Sequence, residues 1–100
     1  MIRHVVMWKV AGKTEHERNQ TRTLVQTAFE ALRGRMPGMT RIEVGADFSN
    51  VDYACDLVLI ADFESHEALE RYATHPEHAR VREALTGLRV ARHQVDYVFE

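Results

Sequence analysis

Residues 72–78 read Tyr-Ala-Thr-His-Pro-Glu-His, which sets a phenol and two imidazoles close together in a short stretch. Groups of this kind suit proton transfer. A neutral imidazole, with an unperturbed pKa of about 6.5, can take a proton from a carbon flanked by carbonyls. A phenol beside it can orient the ring or polarise the carbonyl oxygen on which charge develops. General-base assistance is typically worth about a hundred- to ten-thousandfold in rate.

His78 precedes Val81, Arg82 and Leu85 at helical spacing, so on a helix it shares a face with core residues. Two readings of that placement stand side by side. His78 is either the base of a pocket or a core histidine whose ring nitrogens bond backbone carbonyls. Tyr72 either reaches the imidazole or packs its ring with the hydroxyl at the rim. His75 comes directly before Pro76, which disfavours a helical conformation in the residue ahead of it, so His75 reads as a helix boundary.

Other chemistries lack their partners. His75-Pro76-Glu77 fits the His-x-Glu of zinc deaminases superficially, but their Pro-Cys-x-x-Cys cannot be built with the single cysteine, Cys55. His66-Glu67-Ala68-Leu69-Glu70 stops short of His-Glu-x-x-His and reads as a solvated helix face. No Ser-centred elbow, phosphate loop or dinucleotide glycine pattern occurs, so no metal and no cofactor are expected.

The elements that must position these groups follow from periodicity. Residues 2–10 alternate, with His4, Val6 and Trp8 on one face and Val5 and Met7 on the other, as in a strand covered on both sides. Thr14 and Glu17 form a capping box that opens a long helix. Its apolar stripe is Leu24, Val25, Ala28, Phe29, Ala31 and Leu32, and Met36-Pro37-Gly38 ends it. Residues 40–48 read as a second strand. A polar turn at 49–52 joins it to a third over 53–63, in which Cys55 is expected as a buried, reduced thiol. Ser65 caps a short helix broken by the His-Pro-Glu-His stretch, and residues 90–99 form a last strand with Val95, Tyr97 and Phe99 on one face.

The order βαββαβ is the split βαβ, ferredoxin-like arrangement: an α+β fold with a four-stranded antiparallel sheet and helices on one side. The other side of the sheet then needs a cover. Val5, Met7, Val58 and Ile60 form its apolar centre, flanked by Arg3, Lys9, Asp56 and Asp62, and a twofold homodimer would bury the former and pair the latter across the rim. If His4 faces the helices it converges with Tyr72 and His78, in a pocket whose expected walls are Val6, Trp8, Leu57, Leu59, Phe29 and Val81.

One hundred residues, of which 45% are hydrophobic, suit one domain over 1–100. The formal charge of −2, with both signs interleaved, offers no track for a phosphate backbone, so nucleic acid is not an expected partner. His4 and Lys9 interrupt the opening apolar run, so neither signal peptide nor membrane span is expected, and the cytoplasm is the expected location.

With these residues in view, the sequence resembles the stress-responsive dimeric α/β-barrel, or Dabb, family. The resemblance rests on the opening IRHVVMWKV, the PGM turn, DLVLIADFES, YATHPEH and the closing VDYVFE. It implies homodimers whose two sheets close into a barrel. The family includes plant stress proteins, bacterial proteins without assigned chemistry, and a plant polyketide (olivetolic acid) cyclase that closes a ring by aldol condensation. Resemblance to that cyclase implies His78 and Tyr72 as catalytic residues, with His4 in support. The chain departs from it in carrying Leu57 where the cyclase has a further histidine, Phe29 for a tyrosine, and Trp8 for a smaller aliphatic residue. The same substrate is therefore not expected. The expectation is a small pocket binding or converting a small carbonyl or polyketide-like compound; the alternative is a non-catalytic stress or scaffold protein whose main property is stable dimerisation.

Overall fold

The structure, a computed structural model, describes Met1 to Glu100. Strand β1 (Ile2–Val10) is followed by helix α1 (Glu15–Glu30), strands β2 (Met39–Ala46) and β3 (Leu57–Phe63), helices α2 (His66–Thr74) and α3 (Pro76–Ala84), and strand β4 (Arg89–Val98). The four strands form one antiparallel sheet in the order β2-β3-β1-β4, the ferredoxin-like arrangement. No helix is long and apolar enough to cross a membrane.

The period of two decides which side of the sheet is core. Ile2, Val6, Trp8 and Val10 of β1, and Leu57, Leu59, Ala61 and Phe63 of β3, are buried toward the helices. Val25 and Phe29 of α1 and Ala68 and Tyr72 of α2 meet them there. Phe29 retains only 2% of its surface, and burying a side chain of this size stabilises by about 2–3 kcal/mol. Leu24, expected on the same stripe, is instead exposed, because it stands a third of a turn away from Val25.

Caps set the helix starts. The Thr14 hydroxyl accepts from the Glu17 N–H at 3.1 Å, and Glu17 reaches back to the N–H of Lys13, one residue earlier than a capping box requires. Ser65 accepts from the Ala68 N–H at 3.1 Å. Helix α1 ends at Glu30, short of the Met36-Pro37-Gly38 stop, because residues 31–35 tighten into turns such as Leu32 N–H to Phe29 C=O and Gly34 adopts φ +77°. Leu32 and Met36 still close that end of the core.

Gly38 is demanded twice over. Its φ is +79°, and a Cβ there would lie 2.6 Å from the Cβ of Ala68, so the turn before β2 seats α2 against the sheet.

The hairpin is shorter than its apolar sequence implied. Residues 47–56 form a loop in which the Asp47 carboxylate accepts from the Asn50 N–H and the Ser49 hydroxyl, each at 2.9 Å. Cys55 therefore lies in a loop, half-buried, rather than inside a strand.

Candidate functional site

The second helical region turns on His75. Held at ψ 138° ahead of Pro76, it cannot continue α2, and its ring nitrogen Nδ1 accepts from the N–H of Glu77 at 3.1 Å to cap α3. This break folds the last turn of α2 onto the first turn of α3. Tyr72 and His78 consequently face each other, ring centroids 4.4 Å apart and planes inclined by 49°.

Beneath them lies a cavity of about 350 Å³, at the small end of the range of ligand pockets. Its floor is His4, Val6 and Trp8 of β1 with Leu59 of β3, and Phe29 of α1 stacks on Trp8 at 4.9 Å. Arg82 of α3 and Arg89, Val90, Ala91 and Arg92 of β4 complete the wall. Arg89 and Arg92 share that wall because of a bulge. Lys9 pairs with Ala91 but Val10 pairs with Arg89, so Val90 is an extra residue and the facing of β4 changes there. On an unbroken strand the two arginines would point to opposite faces.

The polar groups are held differently. His4 is buried, and its Nδ1 lies 2.5 Å from Oδ1 of Asp96, its cross-strand partner, while Oδ2 of Asp96 accepts from Gln94 at 3.0 Å. Nε2 of His4 is thus its uncommitted nitrogen. The His78 ring makes no hydrogen bond of normal geometry, and Nδ1 is buried without a partner. Burial, followed by the positive charge of Arg82, pushes its pKa down to about 4; His4 and Arg92 act in the same direction and the Ala73 carbonyl opposes them. At neutral pH it is a neutral imidazole. Burial raises the Tyr72 pKa above its ordinary value, against the pull of Arg92, Arg89 and Arg82, so the hydroxyl keeps its proton. Arg89, half-buried, lies over Trp8 at 5.3 Å and over Phe29 at 5.6 Å, and burial beside Arg92 lowers its pKa.

The stress-responsive A/B barrel domain model, Dabb, matches residues 2–99. The chain belongs to the Dabb family. None of the curated proteins compared with it matches. Among solved structures it is similar to a dimeric protein of unknown function with a ferredoxin-like fold from Bacteroides fragilis NCTC 9343, at 28% identity and TM-score 0.84 over 98% of this chain and 95% of that one. A Dabb family protein from Mesorhizobium loti aligns at 24% identity and TM-score 0.70, covering 99% and 96%. The hydroxynitrile lyase of Passiflora edulis shares the fold at 12% identity and TM-score 0.80, covering 99% and 93%.

Within this Dabb chain, His4, Val6, Trp8, Phe29, Leu59, Tyr72 and His78 all come together on the cavity wall. Leu57 and Val81 do not. Leu57 is buried in the core at the first residue of β3, and Val81 packs against that core from α3. Arg82, Arg89, Arg92 and Asp96 were not singled out from the sequence. Asp96 becomes visible only when the antiparallel register sets it opposite His4, and Arg89 and Arg92 only when the bulge in β4 is known, whereas Arg82 stands one helical turn after His78 on α3.

Val5, Met7, Val58 and Ile60 sit together on the outer face, as cross-strand pairs Val5–Ile60 and Met7–Val58, with Met7 39% exposed. The flanking charges differ from expectation. Arg3 and Asp62 pair with each other inside the chain, through Nε–Oδ1 at 2.8 Å and Nη2–Oδ2 at 3.0 Å. Asp56 accepts from the Val10 N–H at 2.8 Å, which commits it to the end of β1.

Proposed function

We propose that this Dabb protein binds a small carbonyl compound in the cavity below Tyr72 and His78 and abstracts a proton from the carbon next to the carbonyl. The observation that carries this reading is the contact of the two rings, 4.4 Å between centroids, over a hollow whose floor is apolar apart from His4. His78 is uncharged at neutral pH, and with Nδ1 turned into the protein, Nε2 is the nitrogen left to meet a ligand. The C–H proton passes to that nitrogen, the bonding pair moves onto the carbonyl oxygen as an enolate, and the protonated Tyr72 hydroxyl donates to that oxygen. His4, oriented by Asp96, supplies a further polar contact. Return of the proton to carbon, or attack of the enolate on a second carbonyl whose new alkoxide takes that proton back from His78, completes an isomerase- or cyclase-like turnover without any further reagent.

The working unit in this reading is a homodimer across the face centred on Val5, Met7, Val58 and Ile60. Support comes from the uncovered apolar patch and from the dimeric description of the similar Bacteroides fragilis structure.

A neutral aromatic β-dicarbonyl such as ethyl benzoylacetate is expected to raise the melting temperature of the wild type, and His78→Ala to abolish that rise while circular dichroism shows the fold retained. An undiminished shift in His78→Ala would place the ligand elsewhere. The absence of any shift across a broad panel of carbonyl compounds would favour a scaffold.

A further inference from the structure

The arginines of the cavity wall lack what arginines elsewhere on this chain possess. Arg3 reaches Asp62, Arg22 reaches Glu15, Arg41 reaches Glu43 and Arg80 reaches Glu77. Arg82, Arg89 and Arg92 are in no ion pair, and all three line one cavity; of the other arginines only Arg71 is also unpaired. Asp96, the acid on the same strand face, is committed to His4 and Gln94. The polar contact of Arg92 is with the neutral amide of Gln94.

Arg89 makes the argument sharper. Its guanidinium is half-buried and stacked above Trp8 and Phe29, and no carboxylate acts on it. Withdrawing a guanidinium from water without a counter-charge costs free energy, and gathering three like charges around one hollow costs more. The bulge at Val90 brings Arg89 round to the side of Arg92, so the fold spends a strand irregularity on assembling the cluster. A chain of formal charge −2 thus concentrates positive charge at one opening. The complement of such a site is an anion, and the planar guanidinium fork matches a carboxylate.

We propose that the cavity takes a small organic acid bearing a carbonyl, with Arg82, Arg89 and Arg92 holding its carboxylate at the opening while its apolar body lies on Trp8, Phe29, Val6 and Leu59. This deepens the reading of the cavity as a binding site and rests on it. The stacked pair Trp8–Phe29 offers a flat surface for a ring, which favours an aromatic or branched acid over inorganic phosphate. A bound carboxylate would also offset the Arg82 and Arg92 charges that, with His4, act on His78, and so restore basicity where the proton must be taken.

The test is isothermal titration with 4-acetylbenzoate, its methyl ester and inorganic phosphate, at two salt concentrations, on the wild type, Arg92→Gln, Arg82→Gln and His78→Ala. The acid is expected to bind about tenfold or more tightly than the ester, and to lose about tenfold in each arginine variant, while the ester loses nothing. Phosphate is expected to bind weakly or not at all. Arg92 is exposed, so Arg92→Gln should leave folding intact, to be checked by circular dichroism. Equal affinity for acid and ester overturns the anion proposal and leaves the pocket reading standing. Acid binding that falls in the arginine variants but is untouched by His78→Ala upholds the anion site and counts against the His78 chemistry. Phosphate binding as tightly as the acid overturns the organic-acid assignment, and no binding by acid or ester overturns both readings.

Discussion

His78 shows how burial tunes a residue at a cost that pH reveals. Its folded-state pKa is about 4 against 6.5 for the free side chain. Between these values the unfolded chain holds a proton that the folded chain refuses, so protonation favours unfolding there. Stability is therefore fully present above pH 6.5, falls as pH drops toward 4, and takes no further loss from this residue below that. The ring is half-exposed and solvent screens its charge, which limits the effect to about 1–2 kcal/mol. Urea unfolding of the wild type at about pH 7.5 and about pH 4.5 should differ by more than that of His78→Gln, since glutamine does not titrate. Equal pH sensitivity of the two proteins would mean that His78 is not desolvated. The same burial keeps Tyr72 protonated, so one cause leaves a neutral acceptor and a neutral donor side by side.

At the scale of elements, what was legible in the sequence was local. The alternation of β1, the caps at Thr14 and Ser65 and the break at His75-Pro76 each arise from neighbouring residues satisfying neighbouring backbone groups, and each is found where the sequence set it. Strand and helix periods likewise grouped His4 with Val6 and Trp8 and set Tyr72 and His78 on faces shared with core residues, but they left open which side of the sheet His4 faces. What escaped depended on pairing between distant strands. A two-residue step on β4 against one on β1 leaves no local mark in Leu88-Arg89-Val90-Ala91-Arg92, yet it decides that both arginines reach the cavity. The Arg3–Asp62 pair was hidden likewise, because a charge pattern shows two flanking ions and only the register shows them to be cross-strand neighbours. The turn at 49–52 was legible, but its flanks 47–48 and 53–56 were read as strand because Tyr53, Ala54 and Cys55 are strand-like by composition, while the carboxylate of Asp47 bonds its own turn.

At the scale of the whole molecule the sheet divides two tasks. One face, under the helices, encloses the cavity; the other carries the uncovered apolar cluster Val5, Met7, Val58 and Ile60, which is the proposed contact with a second copy. A charge in the middle of that second face would be buried without a partner, at a cost of several kcal/mol. The wild type is expected to sediment as a dimer at micromolar concentration and Val58→Asp as a folded monomer, with circular dichroism to confirm the fold. A monomeric wild type would contradict the paired-sheet reading. Since His78 lies on the opposite side of the sheet, that result would leave the chemistry untouched. The chemistry is tested most directly by proton NMR of ethyl benzoylacetate in deuterated water, following loss of the signal of the C–H between its two carbonyls. The wild type is expected to accelerate the exchange well above buffer and His78→Ala to lose about a hundredfold or more of that acceleration. Exchange that proceeds at the same rate in wild type, His78→Ala and buffer would contradict proton abstraction by His78.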